Sequence, residues 1–231
     1  MKKLIFVSFL LLCLSQGFAQ ENLVKINPLG LAGRSLTLGY ERVLQERQSL
    51  AVTLNISLGL PGATASLIED ALSSEGIDDG SIGLSGFVLT PQYRFYSAKN
   101  GAPKGFYVAP YLRYSSRTLA FGGQFDRIPT DVSFRLSGIG VGLQLGAQWI
   151  IGDKVSIDWY FLGLGANYNT LTATYISANA SEIEGDIRAE LTDLPIIGNG
   201  ITTEIQGNEL KARARAILPG FRSGISLGFA F

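Results

Sequence analysis

The chain has 231 residues, of which 19 are basic, 19 are acidic, 28 are glycine and none is histidine. Its formal net charge of zero gives no indication of nucleic acid or of a strongly anionic surface as a partner. The lack of histidine excludes Ser-His-Asp and Cys-His catalytic arrangements and histidine-ligated metal sites, and the length fits one domain.

The first 19 residues have the pattern of a secretory signal peptide. Lys2 and Lys3 precede an apolar run over residues 4–14, and small residues follow at Gly17 and Ala19. The apolar run is too short to span a bilayer comfortably, which disfavours a membrane anchor. We therefore expect cleavage between Ala19 and Gln20, so that residues 20–231 form the exported domain.

The single cysteine, Cys13, lies inside this apolar run. Leu12 precedes it at a position where a lipoprotein signal has a small residue, and a good cleavage site follows at Ala19. Lipidation is therefore disfavoured. The mature domain would have no cysteine and would need no disulfide.

Taken in chain order, the alternation of apolar residues with small or polar ones predicts strands rather than helices. The last strand is typical: one face carries Phe221, Ile225, Leu227, Phe229 and Phe231, and the other carries Arg222, Gly224, Ser226, Gly228 and Ala230. By itself this strand would also suit a soluble β-sandwich. Eight such segments are predicted, at residues 22–29, 34–44, 49–60, 82–97, 105–121, 131–150, 155–176 and 216–231.

The connections between these segments alternate in length. The two longest, residues 61–81 and 177–215, fall on the same side as each other, and the tight turns at 45–48, 98–104 and 152–154 fall on the opposite side. Each long connection carries a short helical pattern, at residues 64–74 and at Ile183, Ile187 and Leu191. An even strand number with short periplasmic turns and long outer loops predicts an all-β, eight-stranded antiparallel up-and-down transmembrane β-barrel.

Two local features predict interruptions of this pattern. Strand six changes parity between Val132-Phe134-Leu136 and the run that begins at Ile139, which predicts a bulge near Gly138. Pro91 and Pro110 lack a ladder donor, so each is expected at a bulge or at an interface.

The alternation also places six charged residues in the lumen of the barrel. Either they line a pore or proton path, or they form a salt-bridged plug, because an eight-stranded barrel is just wide enough for side chains to fill. Unpaired burial would be costly, so Glu41 and Asp158 are expected to pair with arginines. The six residues are Lys25, Glu41, Arg94, Arg113, Asp158 and Arg222.

Several short motifs resemble a family of uncharacterised Bacteroidota outer-membrane β-barrel proteins. They are Lys25-Ile26-Asn27-Pro28-Leu29, Leu38-Gly39-Tyr40-Glu41-Arg42-Val43-Leu44 and the Pro-x-x-Arg-aromatic elements at Pro91 and Pro110. The layout also resembles the small barrel domain of the outer-membrane protein A class, without its periplasmic domain. The resemblance implies that Phe229 and Phe231 belong to a C-terminal signal read by the barrel-insertion machinery, and it brings no catalytic residues.

These observations lead to one expectation about function and two alternatives. We expect a non-enzymatic barrel in the outer membrane, without cofactor or metal, with a structural role or an interaction role through its outer loops. Its partners would be outer-membrane lipid, the insertion machinery and a protein that binds the loops. The alternatives are a narrow transport barrel for small ions or hydrophobic molecules, and a lipid-modifying enzyme that works without histidine.

Overall fold

The computed structural model of the chain describes residues 22–60, 62–74, 77–97, 99, 101–125, 128–152, 154–176, 202–206 and 208–231. The predicted signal peptide, its cleavage between Ala19 and Gln20, and the helical pattern at Ile183, Ile187 and Leu191 lie outside these residues. The elements are two helices, α1 (Pro28–Ala32) and α2 (Gly62–Ser74), and nine strands: β1 (Asn22–Ile26), β2 (Ser35–Gln45), β3 (Gln48–Ser57), β4 (Ile77–Tyr96), β5 (Gly105–Phe125), β6 (Ile128–Ile151), β7 (Val155–Ile176), β8 (Thr202–Gln206) and β9 (Glu209–Ala230).

Eight of these strands form a closed antiparallel ring. Each of β1 to β7 pairs with the next in sequence, β7 pairs with β9, and β9 returns to β1 with Leu23 opposite Ala230 and Ile26 opposite Leu227. The short β8 pairs with the start of β9, from Thr202 opposite Arg213 to Gln206 opposite Glu209. The predicted eight-stranded antiparallel barrel is therefore confirmed as the fold. No helix in the described part of the chain is both long and apolar enough to cross a bilayer.

The first strand is shorter than the sequence predicts. It ends at Ile26, because Asn27 caps a helix: its side-chain oxygen accepts a hydrogen bond from the Gly30 amide at 3.2 Å. Pro28 occupies the first turn, where its missing N–H leaves no bond unmade. The segment predicted as the end of a strand and a plain connection is thus α1.

Several other strands are longer than predicted. β4 begins at Ile77 rather than at residue 82, and β9 begins at Glu209 rather than at residue 216. The predicted loop over residues 122–130 is mostly hairpin, since β5 runs to Phe125 and β6 starts at Ile128. Strands β4 to β7 and β9 have 20 to 24 residues, whereas β2 and β3 have 11 and 10. Five strands of the barrel therefore continue beyond the ends of β1 to β3. We call this continuation of β4 to β7 and β9 the extension.

The predicted bulge near Gly138 is wrong. Pairing is continuous on both sides of β6 there, with Gly138 opposite Ser115 on β5 and opposite Asn169 on β7. Nor does the register shift at Pro91 or Pro110, so no bulge accompanies either proline. The shift that β6 does show lies between Leu145 and Gly146, where β7 carries one residue more than β6.

What changes near Gly138 is which face of the strand is apolar. In the lower part of β6, Ile139, Val141 and Leu143 point outward and are more than half exposed. Because alternation continues without a break, Val132, Phe134 and Leu136 in the extension point inward. The same exchange occurs on β5, where outward Leu112 and Tyr114 give way to Ser116 and Thr118. The long strands therefore combine a lower part that is apolar outside with an extension that is apolar inside.

Candidate functional site

Four charged side chains from four strands meet inside the lower barrel. Lys25 on β1 contacts Glu41 on β2, and its Nζ lies 2.8 Å from Asp158 Oδ2 on β7. Arg94 Nη1 on β4 lies 3.0 Å from Glu41 Oε2 and 2.8 Å from Asp158 Oδ2. Each cation therefore contacts both carboxylates, and the formal charges of the four groups cancel. We call this group and its hydrogen-bond partners the lumen plug.

The remaining carboxylate oxygens are satisfied by hydroxyl groups. Glu41 Oε1 accepts hydrogen bonds from the Tyr96 hydroxyl at 2.6 Å and from Ser49. Asp158 Oδ1 accepts one from the Tyr107 hydroxyl at 2.8 Å. The Arg94 guanidinium also lies over the Tyr107 ring, 4.4 Å from its centroid, a cation–π contact.

Two glutamines of β6 extend the plug. Gln148 Oε1 accepts from Lys25 and from Arg94 Nη1, the latter at 3.0 Å. Gln144 Nε2 donates to the Tyr107 hydroxyl at 3.0 Å and to Gln92 Oε1 at 3.2 Å. With these partners the plug draws on seven of the eight ring strands, β1 to β7, and the side chains of its four charged residues are at most 5% exposed.

At the plug and above it, tyrosines fill the space that inward glycines leave. A Cβ at Gly142 would overlap the Tyr111 ring, one at Gly146 would overlap Tyr107, and one at Gly224 would overlap Tyr160. The inward glycines on neighbouring strands are therefore part of the packing of the lumen. This agrees with the small diameter of an eight-stranded barrel, in which side chains fill the interior.

The structure brings together four of the six lumen charges that the sequence singles out: Lys25, Glu41, Arg94 and Asp158. Arg113 and Arg222 also point inward, but neither belongs to the plug. The guanidinium of Arg222 lies 5.3 Å from the centroid of the Tyr111 ring and 5.1 Å from that of Tyr160. Among the described residues, the buried Nη1 of Arg222 has no hydrogen-bond partner.

The plug also contains uncharged side chains that the six predicted charges do not include. The alternation places Gln92, Tyr107, Gln144 and Gln148 in the lumen, whereas Ser49 and Tyr96, near strand ends, are left out of the predicted inward sets. Both are in phase with inward residues, since Ser49 lies opposite Arg94 and Tyr96 follows it by two residues. Strict extension of the alternation to the strand ends would have found them. No cluster of three or more potential metal ligands occurs among the residues that the structure describes.

The outward surface of the lower barrel is apolar over its whole circumference. Ile217 is 72% exposed, Phe106 67% and Phe221 65%. Aromatic residues mark both borders of this belt: Trp149, Trp159 and Phe229 near the short turns, and Phe87, Tyr114 and Tyr168 next to the extension. Fold, filled lumen and apolar belt together define the class of small transmembrane β-barrels.

Comparison with known proteins does not narrow the identification beyond this class. No protein-family model matches the chain, and no curated protein matches it. A solved structure, that of a major outer membrane protein from Thermus thermophilus, is similar over 93% of this chain and 100% of its own length, with 13% identity and a TM-score of 0.42. A likeness of this size concerns overall shape, and it assigns no function to this chain.

Proposed function

We propose that the chain is an integral outer-membrane β-barrel whose lumen is closed and whose role is structural or lies in interactions at its outer end. The observation that carries the proposal is the lumen plug. Its two cations and two carboxylates satisfy one another within a cross-section to which seven strands contribute. A path for ions or solutes would have to break these contacts, and leaving any one of the charges buried without its partner is costly.

Outer-membrane residence is part of the proposal and has its own support. An exposed apolar belt with aromatic borders is unfavourable in water and favourable in a lipid bilayer. The interaction role is assigned to the predicted connections over residues 61–81 and 177–215. The strands that they join, β3 with β4 and β7 with β9, have their facing ends on the side of the barrel where the extension lies. Expected partners are outer-membrane lipid, the insertion machinery that reads Phe229 and Phe231, and a protein that binds these connections.

Two measurements test the proposal. On a gel of the outer-membrane fraction, boiled and unboiled samples should migrate differently, because closed barrels resist detergent until they are heated. In planar bilayers the purified barrel should produce no stable current steps. A soluble periplasmic protein without a mobility shift would contradict membrane residence, and a sizeable conductance would contradict the closed lumen.

A second candidate is a narrow transport barrel for small ions or hydrophobic molecules. The inward arginines that lie outside the plug, Arg113 and Arg222, favour it, since they carry charge into the lumen without an ion-pair partner among the described residues. Replacing Arg94 or Arg113 by alanine would then change conductance or uptake.

An enzymatic role is not part of the proposal. The chain has no histidine to act as general base, and the two lumen carboxylates are both held by cations of the plug. A deletion strain should therefore show an unaltered mass spectrum of lipid A. A changed spectrum would support the histidine-independent lipid-modifying enzyme instead.

A further inference from the structure

The inner face of the extension is apolar, although it lies beyond the apolar belt. Five long strands contribute to it, and their register fixes the inward direction of each residue. The outward residues at the same levels are mostly serine, threonine, lysine and arginine. The inward set comprises Ile82 and Leu84 on β4, Leu119 and Phe121 on β5, Val132, Phe134 and Leu136 on β6, Leu171 and Tyr175 on β7, and Leu210, Ala212 and Ala214 on β9.

This inner face is open on β6, whereas Leu210, Ala212 and Ala214 on β9 are buried. Phe134 is 38% exposed and Leu136 40% exposed, although both point into the barrel. The rings of Phe121 and Phe134 meet edge to face at 6.1 Å, so they form one continuous apolar wall. Toward the mouth, β2 begins at Ser35 and β3 ends at Ser57, opposite each other, and neither strand continues opposite this wall. The wall is therefore a concave apolar surface at the mouth of the lumen.

Arginines form the floor of this concavity. Arg113 and Arg117 point inward from β5, below Leu119 and Phe121, and Arg222 points inward from β9. The positive charge of Arg113 is repelled by that of Arg117 and by that of Arg222. Arg117 donates a hydrogen bond to Asn55 Oδ1 at 3.3 Å.

These arginines have no ion-pair partner in the part of the chain that the structure describes. Among the side chains that the structure describes, the inward carboxylates of the ring strands are Glu41 and Asp158, and both are held by Lys25 and Arg94 in the plug. Three like charges under an apolar wall are unfavourable unless an anion neutralises them. A guanidinium presents paired N–H donors that match a carboxylate.

We propose that the mouth of the barrel binds a single-chain anionic amphiphile, with its carboxylate on Arg113 and Arg117 and its acyl chain along the wall of Leu119, Phe121 and Phe134. The class of ligand follows from two features of the site: its floor is positively charged, and its apolar wall lies directly above that floor. A cationic floor below an apolar wall fits one anionic head and one apolar tail. It fits neither a free anion, which would leave the wall exposed, nor a neutral hydrocarbon, which would leave the arginines unpaired. This site lies above the plug and does not require passage through the lumen.

The proposal is tested by fluorescence titration with cis-parinaric acid, a single-chain carboxylate probe, using the full-length barrel in nonionic micelles. Empty micelles give the background. The wild type should bind the probe saturably. Dodecanoate should displace it, whereas dodecanol and dodecylammonium should not.

Variants locate the site. R113Q with R117Q should weaken binding by about tenfold or more, because charge-assisted hydrogen bonds to the carboxylate are lost. F134S should weaken binding of the probe by removing part of the apolar wall. The matched control is R135Q with R213Q, which removes two outward arginines of the same extension and should leave binding unchanged. The heat-induced mobility shift establishes that each variant is folded.

Three results would overturn the proposal. Equal binding by the inner and outer arginine variants would mean that the probe only partitions into the micelle. Displacement by dodecanol as effective as by dodecanoate would mean that the arginines take no part. Binding that appears only after Glu182, Glu184 and Asp186 are replaced by glutamine or asparagine would mean that this chain's own acids already neutralise the floor. A conductance measured for the wild type would contradict the closed lumen but would not change these binding results. The two proposals are therefore tested independently.

Discussion

Lys25 and Asp158 are 133 residues apart in the sequence, and their side chains form a 2.8 Å ion pair inside the barrel. Their strands, β1 and β7, are not neighbours, since β9 lies between them in the ring. The pair therefore reaches across the strand that closes the barrel. It joins the first element of the chain to the seventh strand at a level where β9 contributes no charge of its own.

Replacing Asp158 by asparagine should destabilise the barrel strongly. The change leaves Lys25 and Arg94 sharing Glu41, so one buried positive charge is uncompensated. Breaking a buried pair in this way costs about 3–5 kcal/mol of unfolding free energy. Urea unfolding in phospholipid vesicles, followed by the fluorescence of Trp149 and Trp159, measures the difference.

Asp131→Asn is the control for this prediction. Asp131 is exposed and points outward from β6, so its replacement removes the same charge from the surface. It should change stability by much less than Asp158→Asn. Equal effects would mean that the plug contributes no more than a surface carboxylate.

Removing one ion pair from the plug should open a conductive path. Lys25→Ala combined with Glu41→Ala deletes one cation and one anion, so the cluster stays neutral while side-chain volume is lost. Planar bilayers should then show current steps that the wild type lacks. The matched pair is Lys211→Ala with Glu209→Ala, which removes a 2.8 Å ion pair from the outside of β9 and should leave the barrel silent. Current steps of the same size in both double variants would show that the plug is not the barrier.

Adding one methyl group to the lumen should also be costly. In Gly142→Ala the new Cβ would overlap the Tyr111 ring and the Leu164 carbonyl oxygen of the next strand. Overpacking of this kind costs about 1–3 kcal/mol. Gly83→Ala on β4 is the control, since a Cβ there meets nothing within 4 Å. Unfolding in urea should separate the two variants, and a Gly142 variant as stable as the Gly83 variant would mean that the lumen has spare room.

The predicted insertion signal can be separated from folding itself. Phe231→Ser should lower the amount of folded barrel in the outer membrane, because the resemblance assigns this residue to the signal that the insertion machinery reads. The purified variant should refold in detergent as the wild type does, because Phe231 pairs with Asn22 of β1 through backbone hydrogen bonds, which serine can also make. Heat-modifiability gels on membrane fractions and on refolded protein give both quantities. A defect in refolding as large as the defect in cells would assign Phe231 a structural role instead.

The strands of the lower barrel could be predicted from the sequence because one physical pattern holds throughout them. Lipid-facing and lumen-facing residues alternate, so Lys25, Glu41, Arg94 and Asp158 were assigned to the inside without knowledge of pairing. Which of the six charges meet could not be predicted. Contacts inside a barrel depend on register and strand tilt, and alternation gives only the side on which a residue lies. Arg113 and Arg222 therefore shared the assignment but not the cluster.

The extension could not be predicted, because apolar residues point outward in the lower barrel and inward in the extension. Val132, Phe134 and Leu136 have the opposite parity from Ile139 and Val141, and a bulge at Gly138 was the economical interpretation. The register is instead unbroken, and the apolar side changes from outside to inside. A sequence pattern identifies a change of parity but cannot tell a shifted backbone from a changed environment.

This reversal can be measured along a single strand. Val141→Arg places a charge on the apolar belt, where lipid would surround it, and should cost about 2–4 kcal/mol, whereas a charge close to the membrane border costs about 0–1 kcal/mol. Ser133 points outward from the same strand but lies in the extension, so Ser133→Arg should fall in the lower range. Unfolding free energies in lipid vesicles compare the two variants, both of which place an arginine on the outward face of β6. Two large costs would extend the lipid-facing belt up to Ser133, and two small costs would place Val141 in water; in either case the border between Ile139 and Ser137 would have to be abandoned.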